Sequence, residues 1–520
     1  MAGLLHLSRS RRWVLTRGAA GVAGAATIFA SPLMPGNSVM ASLLQQKGGK
    51  LSVGTVGDFL NLDPYIMNSV NYPLMETVYD QLVRLDGDIK AHPYLLESWK
   101  YSEDGLTMTL TLRQGVKFHS GREITADDIV KNFERAANKE TGGNVYSLLP
   151  VFDSVTATDE KTIDLKLPTV SPYLESMLGI VSIIDPEGFD TLKSKDGGSG
   201  PFIVKEWIPG DHATLVKNAD YWDQERPYVD EVTYHFYDDP ASMVAALEGG
   251  LIDIANGVPN AELDRLQSDY TVSHGQNGAR FYFFCLNTKD KPFDNKEVRQ
   301  AIGYAMDRAT MVANALFNVG EPIVSPFPSY SPAYNADDNK LYPYDLDKAK
   351  QMLTEAGYPD GIEFTINVTN AVPEYSAFAQ ILQADLETIG SKVTIQPMDN
   401  AEWTRMLYDG TYTSTFSAAS GVQMYPTRIA GSSMFSEKTN TVWPDGKAPE
   451  DYVAGMREAD TTLDPEKQKA GLKQMVDAFL DEAWAHVISF KLTNYATQKN
   501  ISGLDHGPYD SIRLDKVTKG

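Results

Sequence analysis

The alternation of apolar and polar residues along the chain predicts several short β-strands. Residues 51–56 and 107–112 alternate with a period of two, as half-buried strands do. Residues 202–207 and 214–216 do the same on either side of a Pro-Gly pair, which predicts a β-hairpin.

Helical periodicity marks four other segments. One begins after Thr125, where Thr125 and Asp128 have the spacing of a capping box. The others are residues 298–306, 346–356 and 378–389. The last of these lies between predicted strands at 364–368 and 392–395. Such a strand–helix–strand unit implies parallel pairing in an α/β domain.

Residues 411–450 differ from the rest of the chain. They are rich in Ser, Thr and Gly, and their aromatic residues are scattered singly. A long segment without periodicity inside a compact domain is usually functional or disordered. We interpret this segment as a loop that lines a ligand cleft.

The first 41 residues have the pattern of an export signal. Arg11 and Arg12 precede a weakly hydrophobic, Gly- and Ala-rich run over residues 18–30, and Ala41 supplies a cleavage site. The adjacent arginines favour the twin-arginine route over the general secretory route. The first cysteine after this run is Cys285, so we expect a periplasmic protein that is not lipid-anchored.

Composition limits the partners and the redox chemistry of the chain. Its 520 residues carry a net charge of −23, so nucleic acid and anionic lipid are poor candidate partners. A chain of this length is expected to form two or more domains. Cys285 is the single cysteine, which makes an intramolecular disulfide impossible, and its apolar neighbours are typical of a buried small hydrophobe.

The usual catalytic and metal-binding motifs are missing from the sequence. It has no zinc-protease helix, nucleophile elbow, phosphate loop or dinucleotide fingerprint, and its eight histidines lack metal-ligand spacing. Asp86 and Asp88 resemble the start of a calcium loop, but Ala91 stands where that loop needs glycine. We therefore expect no cofactor, no metal and no enzymatic activity.

A set of short segments is spread in order along most of the chain. They include Leu62-Asp63-Pro64, Tyr79-Asp80-Gln81-Leu82-Val83, Glu97-Ser98-Trp99, Gly115-Val116-Lys117-Phe118-His119-Ser120-Gly121, Thr125-Ala126-Asp127-Asp128, Gly200-Pro201-Phe202, Tyr221-Trp222, Val298-Arg299-Gln300-Ala301-Ile302 and Glu355-Ala356-Gly357. Together they resemble the large substrate-binding proteins of ABC importers, family 5, which includes dipeptide-, oligopeptide- and nickel-binding proteins.

The resemblance implies an α/β fold of two lobes, the large type II class of periplasmic binding protein with an extra subdomain. The implied division is lobe I at 50–282 with the extra subdomain at about 88–199, lobe II at 283–487, and a return to lobe I at 488–520. The two crossings between lobes, expected near 281–287 and 485–492, would act as a hinge. Ligand would bind between the lobes, and the closed, monomeric protein would dock on a membrane permease.

The family's peptide binders hold the ligand's amino group with an Asp in a loop of lobe II. Aligning on Pro426 places Val422 at that position, and no acidic residue lies between Asp409 and Glu437. Burying an ammonium group without a carboxylate is costly. The sequence therefore argues against an ordinary peptide with a free amino terminus.

Aromatic, amide and guanidinium side chains are the candidates for ligand contact. Two of them would stack, one would hydrogen-bond, and three arginines would clamp a carboxylate. The candidates are Trp403, Tyr425, Gln423, Arg280, Arg405 and Arg428. The predicted function is capture of a peptide, opine or oligosaccharide-like solute for the permease. The alternatives are a periplasmic hydrolase that uses cleft carboxylates, and a metal- or haem-binding protein of the same fold.

Overall fold

The computed structural model describes most of the chain beyond the predicted export signal. The described residues are 47–66, 71–275, 278–420, 425–431, 434–436, 442–508 and 511–520. The predicted signal, residues 1–41, lies outside them.

The described residues form strands and α-helices in a mixed order along the chain. The strands are β1 Lys50–Val56, β2 Val83–Leu85, β3 Ala91–Pro93, β4 Leu96–Tyr101, β5 Thr107–Leu112, β6 Ser154–Ala157, β7 Thr162–Lys166, β8 Phe202–Ile208, β9 His212–Lys217, β10 Glu231–Tyr237, β11 Ile254–Asn256, β12 Thr271–His274, β13 Arg280–Leu286, β14 Glu363–Thr369, β15 Lys392–Met398, β16 Ser414–Ser420, β17 Ala485–Phe490, β18 Asn494–Thr497, β19 Ile501–Ser502, β20 Asp505–His506, β21 Ile512–Arg513 and β22 Thr518–Lys519. The α-helices are α1 Tyr72–Thr77, α2 Ala126–Ala136, α3 Leu174–Leu178, α4 Pro240–Glu248, α5 Leu263–Leu266, α6 Lys296–Ala305, α7 Arg308–Thr310, α8 Leu346–Glu355, α9 Pro373–Thr388, α10 Asn400–Asp409, α11 Glu450–Asp460 and α12 Pro465–Glu482.

A seven-stranded sheet is built mainly from the N-terminal half of the chain. Its order is β12-β18-β11-β1-β10-β9-β8. Strand β1 pairs in parallel with β10 and β11, whereas β8 and β9 form the predicted antiparallel hairpin. Strand β18 lies between β11 and β12. The C-terminal part of the chain therefore returns to this first sheet.

A five-stranded sheet carries the second half, in the order β15-β14-β16-β13-β17. The unit β14–α9–β15 is parallel, as the sequence predicts. The long crossing strands β13 and β17 pair antiparallel. The chain passes between the two sheets after His274 and again after Phe490. The predicted lobe boundaries, at 282/283 and 487/488, lie within β13 and β17.

A smaller antiparallel sheet, β4-β5-β7-β6, forms within the N-terminal half, and α2 packs against β6 and β7. The predicted capping box of α2 is confirmed. The Asp128 carboxylate accepts hydrogen bonds from the backbone N–H and the hydroxyl of Thr125, both at 2.9 Å. Asp128 also pairs with Arg122 at 2.8 Å. This Asp therefore serves the helix terminus, as the sequence indicates.

The interpretation of 411–450 as a cleft-lining loop is wrong for residues 414–420, which form β16 at the centre of the five-stranded sheet. The Ser414 hydroxyl donates to the carbonyl of Thr365 at 2.9 Å, and the Thr415 hydroxyl donates to that of Asn367 at 2.7 Å. These bonds satisfy polar side chains inside the core. A strand buried on both faces shows no apolar–polar alternation, which is why the pattern misses it.

The core of the second half is rich in aromatic pairs. The Phe416 ring on β16 lies 4.6 Å from Phe284 and 5.6 Å from Phe378, centroid to centroid. Cys285 is buried beside them, as predicted, and burial raises its pKa to about 12. Within the described segments, we find no helix with the length and apolarity to cross a membrane.

Candidate functional site

Tyr173, the residue before α3, joins the two halves of the chain. It packs against both large hydrophobic cores. Its ring lies 6.0 Å from that of Tyr425, and the guanidinium carbon of Arg428 lies 4.0 Å from its centroid. A cation–π contact of this kind contributes about 0.5–2 kcal/mol, with the larger values in desolvated sites. Tyr173 thus connects the segment 425–431 to the N-terminal half.

Two cavities adjoin this contact. The first, of about 310 Å³, is lined by Leu148 from the N-terminal half and by Arg428 and Asp460 from the second half. The other, of about 320 Å³, is lined by Glu175 and by Tyr425. Because both halves supply walls to each cavity, this region has the geometry of a cleft between lobes. Volumes of this size suit small-molecule ligands.

The first cavity contains a partly buried ion pair. Arg428 Nη2 donates to Asp460 Oδ2 at 2.5 Å and to the Thr427 hydroxyl at 3.1 Å, and that hydroxyl donates to Asp460 Oδ1 at 2.6 Å. Burial raises the pKa of Asp460, although Arg428 and Thr427 favour its charged form. Arg428 Nε is buried and has no hydrogen-bond partner in the described part of the chain.

Tyr425 belongs to the same segment and lines the second cavity. It is buried, and its hydroxyl donates to the carbonyl of Ala459 at 3.4 Å, next to Asp460. Burial raises the pKa of this phenol, so it stays neutral and acts as a hydrogen-bonding group. Of the six candidates from the sequence, the structure thus brings Tyr425 and Arg428 together.

Arg280 lies elsewhere along the sheet. It is the first residue of β13 and stands opposite Ser420, the last residue of β16. It is half-buried, and its charge opposes the rise that burial causes in the pKa of Tyr375. Arg280 is not among the described residues that line the two cavities.

Trp403 and Arg405, both on α10, do not line these cavities in the described structure. The indole N–H of Trp403 donates to the Thr415 hydroxyl at 3.0 Å inside the core. Arg405 is exposed and pairs with Asp409 one helical turn away, at 3.3 Å. Gln423, like Val422, lies outside the described residues.

The sequence does not identify two residues of the site. Tyr173 belongs to no motif with a chemical signature, and Asp460 is the last residue of α11, 32 residues after Arg428. Asp460 can be recognised as a site residue only from its position in the folded chain.

Among the described residues, no three His, Cys, Asp or Glu side chains are placed to hold a metal ion.

The model of one protein family, bacterial extracellular solute-binding proteins, family 5 (middle), matches residues 90–442. The chain belongs to this family. The resemblance inferred from the short sequence segments is thereby confirmed, and so is the two-lobed α/β fold.

Relatives of this family 5 protein cover most of its length. The glutathione-binding protein GsiB of Salmonella typhi is 28% identical over 491 residues, which cover 88% of this chain and 92% of that protein. Heme-binding protein A of Haemophilus influenzae is 31% identical over 380 residues, 66% of this chain and 69% of that protein.

Solved structures of similar fold hold different ligands. AgaA in complex with agropinic acid, from A. tumefaciens R10, is 25% identical with a TM-score of 0.76, and the match covers 91% of this chain and 99% of AgaA. NikA from Brucella suis, in complex with Fe(III)-EDTA, is 22% identical with a TM-score of 0.81, covering 91% and 100%. The second likeness establishes the fold alone.

Proposed function

We propose that this protein is the extracytoplasmic solute-binding subunit of an ABC importer, which captures a peptide-sized polar solute and delivers it to the inner-membrane permease. The observation that carries the proposal is the meeting of Tyr173 with Tyr425 and Arg428, next to two cavities with walls from both halves of the chain. A solute that touches both halves stabilises the closed arrangement, and this form is offered to the permease.

The side chains of the first cavity support a solute with ionised groups. Arg428, Asp460 and Thr427 present a guanidinium, a carboxylate and a hydroxyl within one hydrogen-bonded group. Relatives and neighbours carry glutathione in their names, or agropinic acid and the peptide STSA in their complexes. We therefore place peptides and opines first, with oligosaccharide-like solutes third.

We also propose that the protein works in the periplasm as a free monomer without catalytic activity. In this proposal residues 1–41 direct export by the twin-arginine route and no lipid anchor is added. Within the binding region, Tyr425 and Arg428 contact the solute, and Arg280 and Gln423 stay candidates from the sequence. Trp403 bonds to Thr415 and Arg405 pairs with Asp409, so we do not include these two residues among the solute contacts.

A ligand screen tests the proposed function. The purified protein is heated with glutathione, tri- and tetrapeptides, an opine, an oligosaccharide, haemin and nickel with histidine, and bound solute is identified by native mass spectrometry. We expect one of the polar organic classes to raise the melting temperature. At a hundredfold excess over Kd the gain in unfolding free energy is about 2.7 kcal/mol.

The same screen separates the alternatives. Recovery of the solute chemically unchanged after incubation is the result expected of a binding protein, and turnover would identify a hydrolase. A shift with haemin or nickel alone would transfer the assignment to the haem- or metal-binding alternative. No shift with any member of the panel, and no co-purified solute, would contradict solute binding in this cleft.

A further inference from the structure

The first cavity contains a carboxylate, although the chain segment that forms one of its walls has no acidic residue. The run from Gly410 to Ser436 has no acidic residue, so a ligand ammonium bound by this run would lack a carboxylate. Leaving a buried ammonium unpaired is strongly unfavourable. The acid has to come from another element if the ligand carries a free amino group.

Asp460 is that acid. It is the last residue of α11. The hydroxyl of Tyr425 donates to the carbonyl of Ala459, the preceding residue, and so connects the end of this helix to the run from Gly410 to Ser436. The Asp460 side chain lines the first cavity, and its carboxylate is bound by Thr427 and Arg428. The helix terminus thus brings a carboxylate to the sequence segment that lacks one.

Both members of the Asp460–Arg428 pair have unused hydrogen-bonding capacity. A carboxylate has about four acceptor sites, and the described residues occupy two of those on Asp460. A guanidinium has five N–H donors, and Arg428 Nε is buried without a partner in the described structure. A bound zwitterion could therefore give its ammonium to Asp460 and its carboxylate to Arg428 without breaking their mutual bond.

The charge of the cavity is not balanced. Its charged residues, among those described, are Arg428, Arg457 and Asp460. Arg457 is exposed and forms no ion pair within the described residues. Two cations and one anion leave an excess positive charge, which favours a ligand with one more carboxylate than ammonium groups.

We propose that Asp460 and Arg428 form a recognition site for the amino-acid-like end of the solute, and that Arg457 binds a further carboxylate. The ligand class is a peptide-sized compound with one free ammonium and two carboxylates. The inference rests on the proposed solute-binding function and gives that function a charge pattern.

Calorimetric titration of the mature protein with three probes tests the charge pattern. The probes are the tripeptide Ala-Ala-Glu, its N-acetyl derivative and Ala-Ala-Gln. We expect N-acetylation to weaken binding by at least about tenfold, because it removes a charge-assisted hydrogen bond. Replacing the terminal Glu of the probe by Gln should weaken its binding to the wild type severalfold. In the variant Arg457→Gln, the two probes should bind with the same affinity.

A variant assigns the amine preference to its residue. In Asp460→Asn the free and acetylated probes should bind within about threefold of each other, while Asp337→Asn, which alters an exposed ion pair with Lys340, should behave as the wild type. The melting temperature of each variant shows whether it folds. If Asp460→Asn does not fold, the wild-type comparison of free and acetylated probes still decides.

Two results of the amine comparison would overturn the inference. One is equal binding of the free and acetylated probes to the wild type, and the other is a preference for the free amine that survives in Asp460→Asn. Failure of all three probes while another solute of the screen binds would also overturn it, yet leave the solute-binding function intact. Failure of every solute would remove both.

Discussion

The guanidinium carbon of Arg428 lies 4.0 Å from the ring centroid of Tyr173, and the two residues come from opposite halves of the chain. Tyr173 packs against both hydrophobic cores, whereas Arg428 is held by Asp460 at 2.5 Å. The contact therefore connects the charged pair of the cavity to the other half of the protein. In the proposed function, this contact would stabilise the closed arrangement in which a solute is enclosed.

Replacing Tyr173 should weaken solute binding. Tyr173→Ala removes a contact of about 0.5–2 kcal/mol, so we expect Kd to rise about 2- to 30-fold in calorimetric titration with the solute that the screen identifies. Tyr173→Phe keeps the ring and should stay near the wild type. The control is Tyr408→Ala, whose side chain is 69% exposed on α10. An unchanged Kd for Tyr173→Ala would show that the contact has no part in closure.

The central strand missed by the sequence pattern should be critical for stability. Phe416 on β16 is fully buried between Phe284 and Phe378, and Phe416→Ala leaves a cavity there. We expect a loss of about 3–5 kcal/mol in unfolding free energy, measured by urea denaturation. The exposed substitution Tyr408→Ala should cost less than about 0.5 kcal/mol. A small loss for Phe416→Ala would be incompatible with a central position of β16.

A buried carboxylate in the C-terminal segment should make stability depend on pH. Asp515 pairs with Arg84 at 2.9 Å and with Arg226 at 2.8 Å. Burial by itself would raise its pKa, but the two arginines outweigh this effect and lower the pKa from 3.8 to about 2. The folded state thus binds this proton less readily than the unfolded chain. The resulting stabilisation, about 2 kcal/mol, is fully present above about pH 5 and is lost progressively as the pH falls from about 5 to about 2.

Urea denaturation at pH 7, 5 and 3.5 measures this contribution. Asp515→Asn should lower stability at pH 7, because two arginines lose their buried partner, and should flatten the loss between pH 5 and 3.5. Asp337→Asn, at an exposed pair, serves as the control. The same steep acid loss in Asp515→Asn as in the wild type would assign the pH dependence to other groups.

If residues 1–41 act as the proposed twin-arginine signal, export depends on the identity of Arg11 and Arg12 rather than on their charge. The twin-arginine receptor reads the arginine pair, whereas the general route requires only a positive start to the signal. The double substitution Arg11→Lys and Arg12→Lys keeps the charge, so we expect precursor to accumulate in the cytoplasm. Cell fractionation and intact mass measure this, with Arg17→Lys as the control. Normal export of the double variant would point to the general route.

Local patterns were sufficient for many elements. The capping box of Thr125 and Asp128, the hairpin of β8 and β9 and the helix α6 depend on contacts between near neighbours in the chain. Helix α9 begins at Pro373, earlier than its apolar periodicity starts, because Pro is tolerated in a first helical turn. Strand β16 was missed because a strand enclosed on both faces lacks alternation, and its hydroxyls bond to neighbouring carbonyls.

The sequence by itself determined the α/β class, the parallel unit around α9 and the family resemblance, because these rest on short-range spacing and on ordered motifs. Only the tertiary structure decided which polar residues share a cavity. Asp460 lies 32 residues from Arg428 and on a different element, yet their side chains meet at 2.5 Å, and Tyr173 reaches them from the other half of the chain. Contacts between such distant residues depend on how whole elements pack, and they cannot be predicted from the spacing of residues along the chain.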